Sequence, residues 1–112
     1  MIRLEGQRGR LHLTLVALPL GADLCVTLTG GDREHIGAVA LAHPDMPPQV
    51  LTVPHHREAE LALELAQRLA LHFRCAVSLT CGIHLDGLQP QEIEEALSLG
   101  RELVRQLKDS KN

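Results

Sequence analysis

Between Leu11 and Ala42 the chain carries three strand-like runs, two alternating and one apolar throughout, with only short breaks between one run and the next. "LHLTLVAL", Leu11 to Leu18, is the first run, and Pro19-Leu20-Gly21 interrupts it. "DLCVTLT", Asp23 to Thr29, is the second, with Leu24, Val26 and Leu28 on one face. "HIGAVALA", His35 to Ala42, is the third and is apolar on both faces. A period of two puts successive side chains on opposite sides of a strand, so this third of the chain is committed to sheet. The short connections predict an antiparallel meander, with Gly30-Gly31-Asp32 as hairpin-turn chemistry. "HPDMPP" reads as a loop, and "QVLTVP" as a short edge strand stopped by Pro54.

The period then changes. From His56 to Phe73 the residues Ala62, Leu65, Ala66, Leu69 and Phe73 form one helical stripe, while Glu60, Glu64, Gln67 and Arg68 face away. "CAVSLTCGIH", Cys75 to His84, returns to alternation, with apolar odd positions and small or polar even ones. A last helix follows, with Pro90 in its first turn, acids at its start, and Ile93, Leu97, Gly100, Val104 and Leu107 as its core stripe. The expected fold is α+β: a mostly antiparallel sheet of 4–5 strands with two helices on one face, in the order β-β-β-(β)-α-β-α. A single domain spans residues 1–112, with 1–8 and 108–112 expected to fray. The sheet is more apolar than two helices can cover, and a homodimer is the simplest remedy.

Composition narrows the function. The net charge is -3, against the clustered basic surface that nucleic acid requires. Phe73 is the sole aromatic of the FWY type in 112 residues, so base-stacking platforms are excluded and the core falls to Leu, Val and Ala. No uncharged apolar run of about 18 residues is present, so no membrane span is expected. The start of the chain lacks the apolar stretch of a signal peptide, and three cysteines form no disulfide framework; the expected compartment is the cytoplasm.

Seven histidines are the chemical surplus of the sequence. His35 follows a glycine turn, His55 and His56 stand at a helix start, and His84 closes a strand just before Asp86 and Gly87. Element ends are where binding residues gather. A helix start favours neutral imidazole, which a metal needs, and its free N–H groups attract phosphate. Glycines 30, 31, 82 and 87 would let backbone come close to a ligand. A divalent metal, a phosphate or a metal-bridged phosphate all suit such a pocket. The plainer readings stand beside these. His35 suits a solvated turn equally well. Adjacent His55 and His56 diverge on a helix, so one at most faces a given site. Cys81 and His84 of "CGIH" lie on opposite strand faces, so a shared zinc would need a bulge, and Cys81 reads better as core.

Three blocks together, "GGDREHIGAVALA", "TVPHHREAELALELAQRLA" and "CGIHLDGLQPQEIEEAL", resemble the LpdD-like proteins, over about Leu24 to Leu107. That family is described as a prenylated-flavin chaperone associated with UbiD-type hydroxyarylic acid decarboxylases, such as gallate decarboxylase. Its fold is similar to that of proteasome assembly chaperones, an α+β domain that dimerises. The resemblance implies a non-catalytic protein that binds prenylated FMN (or FMN) and delivers it to the decarboxylase. It implies Gly30, Gly31, His35, Arg57 and Gly82 as cofactor-binding positions. His35, His56, His84 and Asp86 become the metal candidates, with Zn or Mn as the ion. His56-Arg57 fits the family pattern of a histidine followed by a basic residue, which favours His56 over His55. Gly87 departs from that pattern, which has an amide after the aspartate, so a side-chain contact from position 87 is lost. The alternatives are a metal-dependent hydrolase built on the histidines and Asp86, and an assembly chaperone for a protein complex.

Overall fold

The computed structural model describes residues 1–54 and 58–110. It contains β1 (Ile2–Arg8), β2 (Leu11–Leu20), β3 (Asp23–Gly31), β4 (Ala38–His43), β5 (Met46–Thr52), α1 (Ala59–Phe73), β6 (Val77–His84) and α2 (Pro90–Ser110). One six-stranded sheet has the order β1-β2-β3-β6-β4-β5. Every pairing is antiparallel except β3 with β6. The fold class is the expected α+β, with a mostly antiparallel sheet and two helices.

Alternation decides what each strand buries. Leu11, Leu13, Leu15 and Ala17 of β2, Leu24, Val26 and Leu28 of β3, and Val77, Leu79 and Cys81 of β6 point to the helix side and are buried. Small Ala38, Ala40 and Ala42 of β4 let α1 lie close to the sheet; α1 packs on β4, β5 and β6, and α2 on β1 and β2. The helices meet the sheet through Leu65, Leu69, Leu103 and Leu107, all fully buried. Truncating any such leucine typically costs about 2–5 kcal/mol.

Several expectations are corrected. The sheet has six strands rather than 4–5, because residues 2–8 form a strand that pairs with β2 from Ile2↔Ala17 to Arg8↔Leu11. Gly9, with φ 59, turns that hairpin. "HPDMPP" is no loop: Pro44-Asp45 forms a tight turn and β5 begins at Met46. Its prolines are tolerated because β5 is an edge strand. The third apolar run starts its strand at Ala38, three residues after His35. In α2, Ile93 is 40% exposed, and Leu99 and Leu103 carry burial instead. Full burial in α2 begins at Leu99, while Ala96 and Leu97 pack partly buried against the core.

The largest correction concerns the meander. β3 and β4 are not neighbours, because β6 lies between them. Gly30-Gly31 therefore closes no hairpin. The connection from β3 to β4 must instead pass over the end of β6, and this crossing builds the candidate site.

Candidate functional site

The crossing is packed through glycines. Gly31 has φ 82, and a Cβ there would overlap the carbonyl oxygen of His84. A Cβ on Gly82 would overlap the carbonyl oxygen of His35, and one on Gly37 the carboxylate of Glu58. Gly30 is closed by His12 of β2 in the same way. At these four positions the close approach is between segments of the chain itself. Gly87, with φ 63, has open space beside it.

Hydrogen bonds pin the crossing down. The Asp32 N–H donates to the His84 carbonyl, and the Asp86 N–H donates to Asp32 Oδ2 at 2.8 Å. The Gly37 N–H donates to the Cys81 carbonyl at 2.9 Å, which starts β4 against β6. His35 is thereby brought beside His84 and Asp86, which lie in a distant part of the sequence. The His35 and His84 rings meet edge to face with centroids 6.1 Å apart. His35 Nε2 lies 2.9 Å from Glu58 Oε2, and the same oxygen accepts the Ile83 N–H at 3.2 Å. His84 Nε2 lies 2.9 Å from Asp86 Oδ1. An Nε2–H that donates to Asp86 has no lone pair left to accept from the Arg33 guanidinium at 3.5 Å, so Arg33 acts there through its charge.

The site is therefore two imidazole–carboxylate pairs side by side. The His84 hydrogen bond and charge hold the Asp86 carboxyl below the usual range, and Arg33 and Arg10 add to this. Beside them, the Arg10 guanidinium grips Glu92 with bonds of 2.6 and 2.8 Å and reaches the Gly87 carbonyl at 3.4 Å. Glu92 also accepts the Gln89 N–H at 3.0 Å, half of a capping box at the start of α2. These contacts tie the loop after β6 to the β1–β2 hairpin and draw the Glu92 carboxyl down to about 2.

Cys81 is buried on the helix side, where burial first and the Glu58 charge second push its thiol up to about 12. That excludes it as a nucleophile and keeps it in the core. The metal candidates fare as follows. His56, with His55 and Arg57, lies outside the described residues. Both Nε2 atoms of His35 and His84 face carboxylates. Among the described residues, no three His, Cys, Asp or Glu side chains converge as a metal would require.

Glu58 was not legible as a site residue. An acid at a helix start reads as a partner for the helix dipole, and only the fold turns it toward His35. Arg33 and Asp32 were hidden in the same way, inside what looked like a turn.

The sheet face away from the helices carries a second feature, which His35 shares. A hollow of about 450 Å³ is lined by Arg3, Thr14, Val16, Thr27, Thr29 and Thr80 from the strands, and by Glu34, His35 and Ile36 from the crossing. Its floor is a register row, Arg3↔Val16↔Thr27↔Thr80, drawn from four adjacent strands. Beyond it the row continues into apolar Val39 and Leu51, the latter 80% exposed.

A six-stranded sheet backed on one side by two helices carries these polar pairs and the shallow hollow. The same arrangement occurs in a chain of the crystal structure of a chaperone complex for yeast 20S proteasome assembly. The TM-score is 0.69, over 96% of this chain and 94% of that one, at 14% identity. At that identity the likeness is one of fold. The family model for the prenylated flavin chaperone LpdD-like domain matches residues 7–112, and the chain belongs to that family. The protein LpdD of Lactiplantibacillus plantarum is 26% identical over 93 residues, covering 79% of this chain and 68% of that protein. This is a family of chaperones, and the chain is not an enzyme. No helix among the described residues is long and apolar enough to cross a membrane.

Proposed function

We propose that the protein holds prenylated FMN and passes it to a UbiD-type hydroxyarylic acid decarboxylase. The family match over residues 7–112 carries this reading. The geometry supports it: the hollow beside His35 falls in the range of small-molecule sites, roughly 300–1,000 Å³, and mixes hydroxyl, guanidinium and aliphatic groups. Such a lining suits a heteroaromatic ring system with polar edges. The chain has no Trp or Tyr, and Phe73 ends α1 in contact with the core on the other side of the sheet. Aliphatic side chains must therefore cover the ring. The bound cofactor supplies chemistry only in the decarboxylase; here the chain's own residues orient it and exclude water. Arg57 remains the candidate phosphate partner, while Gly30, Gly31 and Gly82 serve the packing of the crossing.

The exposed apolar row of Val39, Leu41 and Leu51 on the same sheet face supports a homodimer in which a second copy covers it. Sedimentation of the pure protein as a monomer at micromolar concentration would remove that part of the reading.

The test of the carrier role is direct. The protein is incubated with reduced prenylated FMN under nitrogen, desalted, and mixed with the apo-decarboxylase. Retained absorption above about 300 nm, which this Trp- and Tyr-free chain hardly supplies itself, and a newly active decarboxylase are expected. A colourless protein and an inactive partner would overturn the reading.

A further inference from the structure

The carrier reading leaves open where the flavin ring sits, and the open sheet face answers from its own chemistry. Four threonines meet there: Thr14 pairs with Thr29 across β2 and β3, and Thr27 with Thr80 across β3 and β6. All four are half-buried, and none of their hydroxyls hydrogen-bonds a protein group among the described residues. Water reaches these hydroxyls, and a ligand's polar groups could replace it there. Val16 lies in the same floor, and Ile36, 58% exposed, overhangs it from the crossing. Arg3 closes one rim, and Glu34 and His35 the other. At about 4.8 Å per strand, the row from Arg3 to Thr80 is about 14 Å long, enough for a fused three- or four-ring system.

We infer that this hollow seats the isoalloxazine portion of the cofactor, with Thr27 and Thr80 bonding its polar edge and Val16 and Ile36 covering its apolar surface. The inference rests on the carrier reading and extends it to strand residues that no glycine or histidine motif marks. A threonine hydroxyl both donates and accepts, so the row serves the carbonyl and N–H groups that alternate along a flavin's pyrimidine edge. The threonine methyls and Val16 supply the apolar contact that an aromatic residue provides elsewhere. His35 joins this seat to the polar pairs at the end of β6.

The experiment compares the wild type with the double variant Thr27→Val and Thr80→Val, which keeps shape and strand preference while deleting both hydroxyls. Ser78→Ala, on the same face but outside the hollow, is the control. Retention of reduced prenylated FMN is titrated anaerobically for each, and thermal unfolding of the unloaded proteins checks that they fold. The double variant should bind about tenfold more weakly, with unfolding no earlier than the wild type and Ser78→Ala unchanged. A folded double variant that binds as tightly as the wild type overturns the seat and leaves the carrier reading standing. An equal loss in Ser78→Ala also overturns the seat. A wild type that retains no flavin overturns both.

Discussion

His35 Nε2 and Glu58 Oε2 stand 2.9 Å apart, joining the strand-to-strand crossing to the start of α1. The side chains are 20% and 11% exposed, and the carboxylate oxygen also takes the Ile83 N–H. Glu58 thus clamps three segments: the crossing, the end of β6 and the first helix. Removing it as Glu58→Ala strips an acceptor from a sheltered N–H and from the imidazole, at a cost of about 1–3 kcal/mol. Glu58→Gln keeps a carbonyl acceptor and should lose less. Urea denaturation of both variants measures the difference, and equal losses would show that the oxygen's bonds do not matter.

The glycines of the crossing should rank by what their missing Cβ would meet. Gly82→Ala drives a methyl into the His35 carbonyl, and Gly31→Ala adds a left-handed backbone to a similar overlap. Each should cost about 3 kcal/mol or more. Gly87→Ala pays only the left-handed conformation, about 1–2 kcal/mol, because nothing lies beside it. Melting temperatures of the three variants give the order, and a Gly82→Ala protein as stable as the wild type would contradict the packing described.

Acid should weaken the tie between α2 and the β1–β2 hairpin. The Glu92 carboxyl sits at about 2 in the folded protein, below its ordinary 4.5, because Arg10 and the Gln89 N–H favour its charged form. The unfolded chain therefore binds the extra proton first. The stabilisation is complete above pH 4.5 and is lost as pH falls from there through about 2. Asp86 is shifted in the same direction. Glu92→Gln should melt earlier than the wild type near neutrality, and the gap should close toward pH 2. A gap constant across that interval would refute the linkage.

Thiol reactivity should separate core from surface. Cys75 and Cys81 are buried, and the Cys81 thiol is pushed up to about 12. Cys25 is half-buried on the open sheet face, in register with Ser78. With iodoacetamide at pH 8, Cys81 should stay unlabelled in the native protein and react in guanidinium. Peptide mass spectrometry reads each position, and rapid native labelling of Cys81 would place it outside the core.

Much of the architecture was legible because it depends on local periods. The alternation at Leu24, Val26 and Leu28, and the stripe from Ala62 to Leu69, name the buried faces before any fold is known. Residues 2–8 escaped because their alternation rests on Ile2 and Leu4 alone, with Gly6 where a third apolar residue would stand. Ile93 misled because periodicity reports which side of a helix is apolar, not how far along its axis the sheet extends. The three histidine-bearing blocks and Asp86 were legible as residues, yet Glu58 was not, since it faces His35 only after the crossing is made.

By itself, then, the sequence determined strands, helices, their inward faces and the family to which the chain belongs, because each rests on neighbours along the backbone or on a shared pattern of residues. Strand order was decided only in three dimensions. Inserting β6 between β3 and β4 is a choice among non-local pairings that alternation leaves equivalent, since any strand with one apolar face can sit beside any other. That single choice turned an apparent hairpin into a crossing, set His35 over Gly82, and opened the threonine-floored hollow beside it.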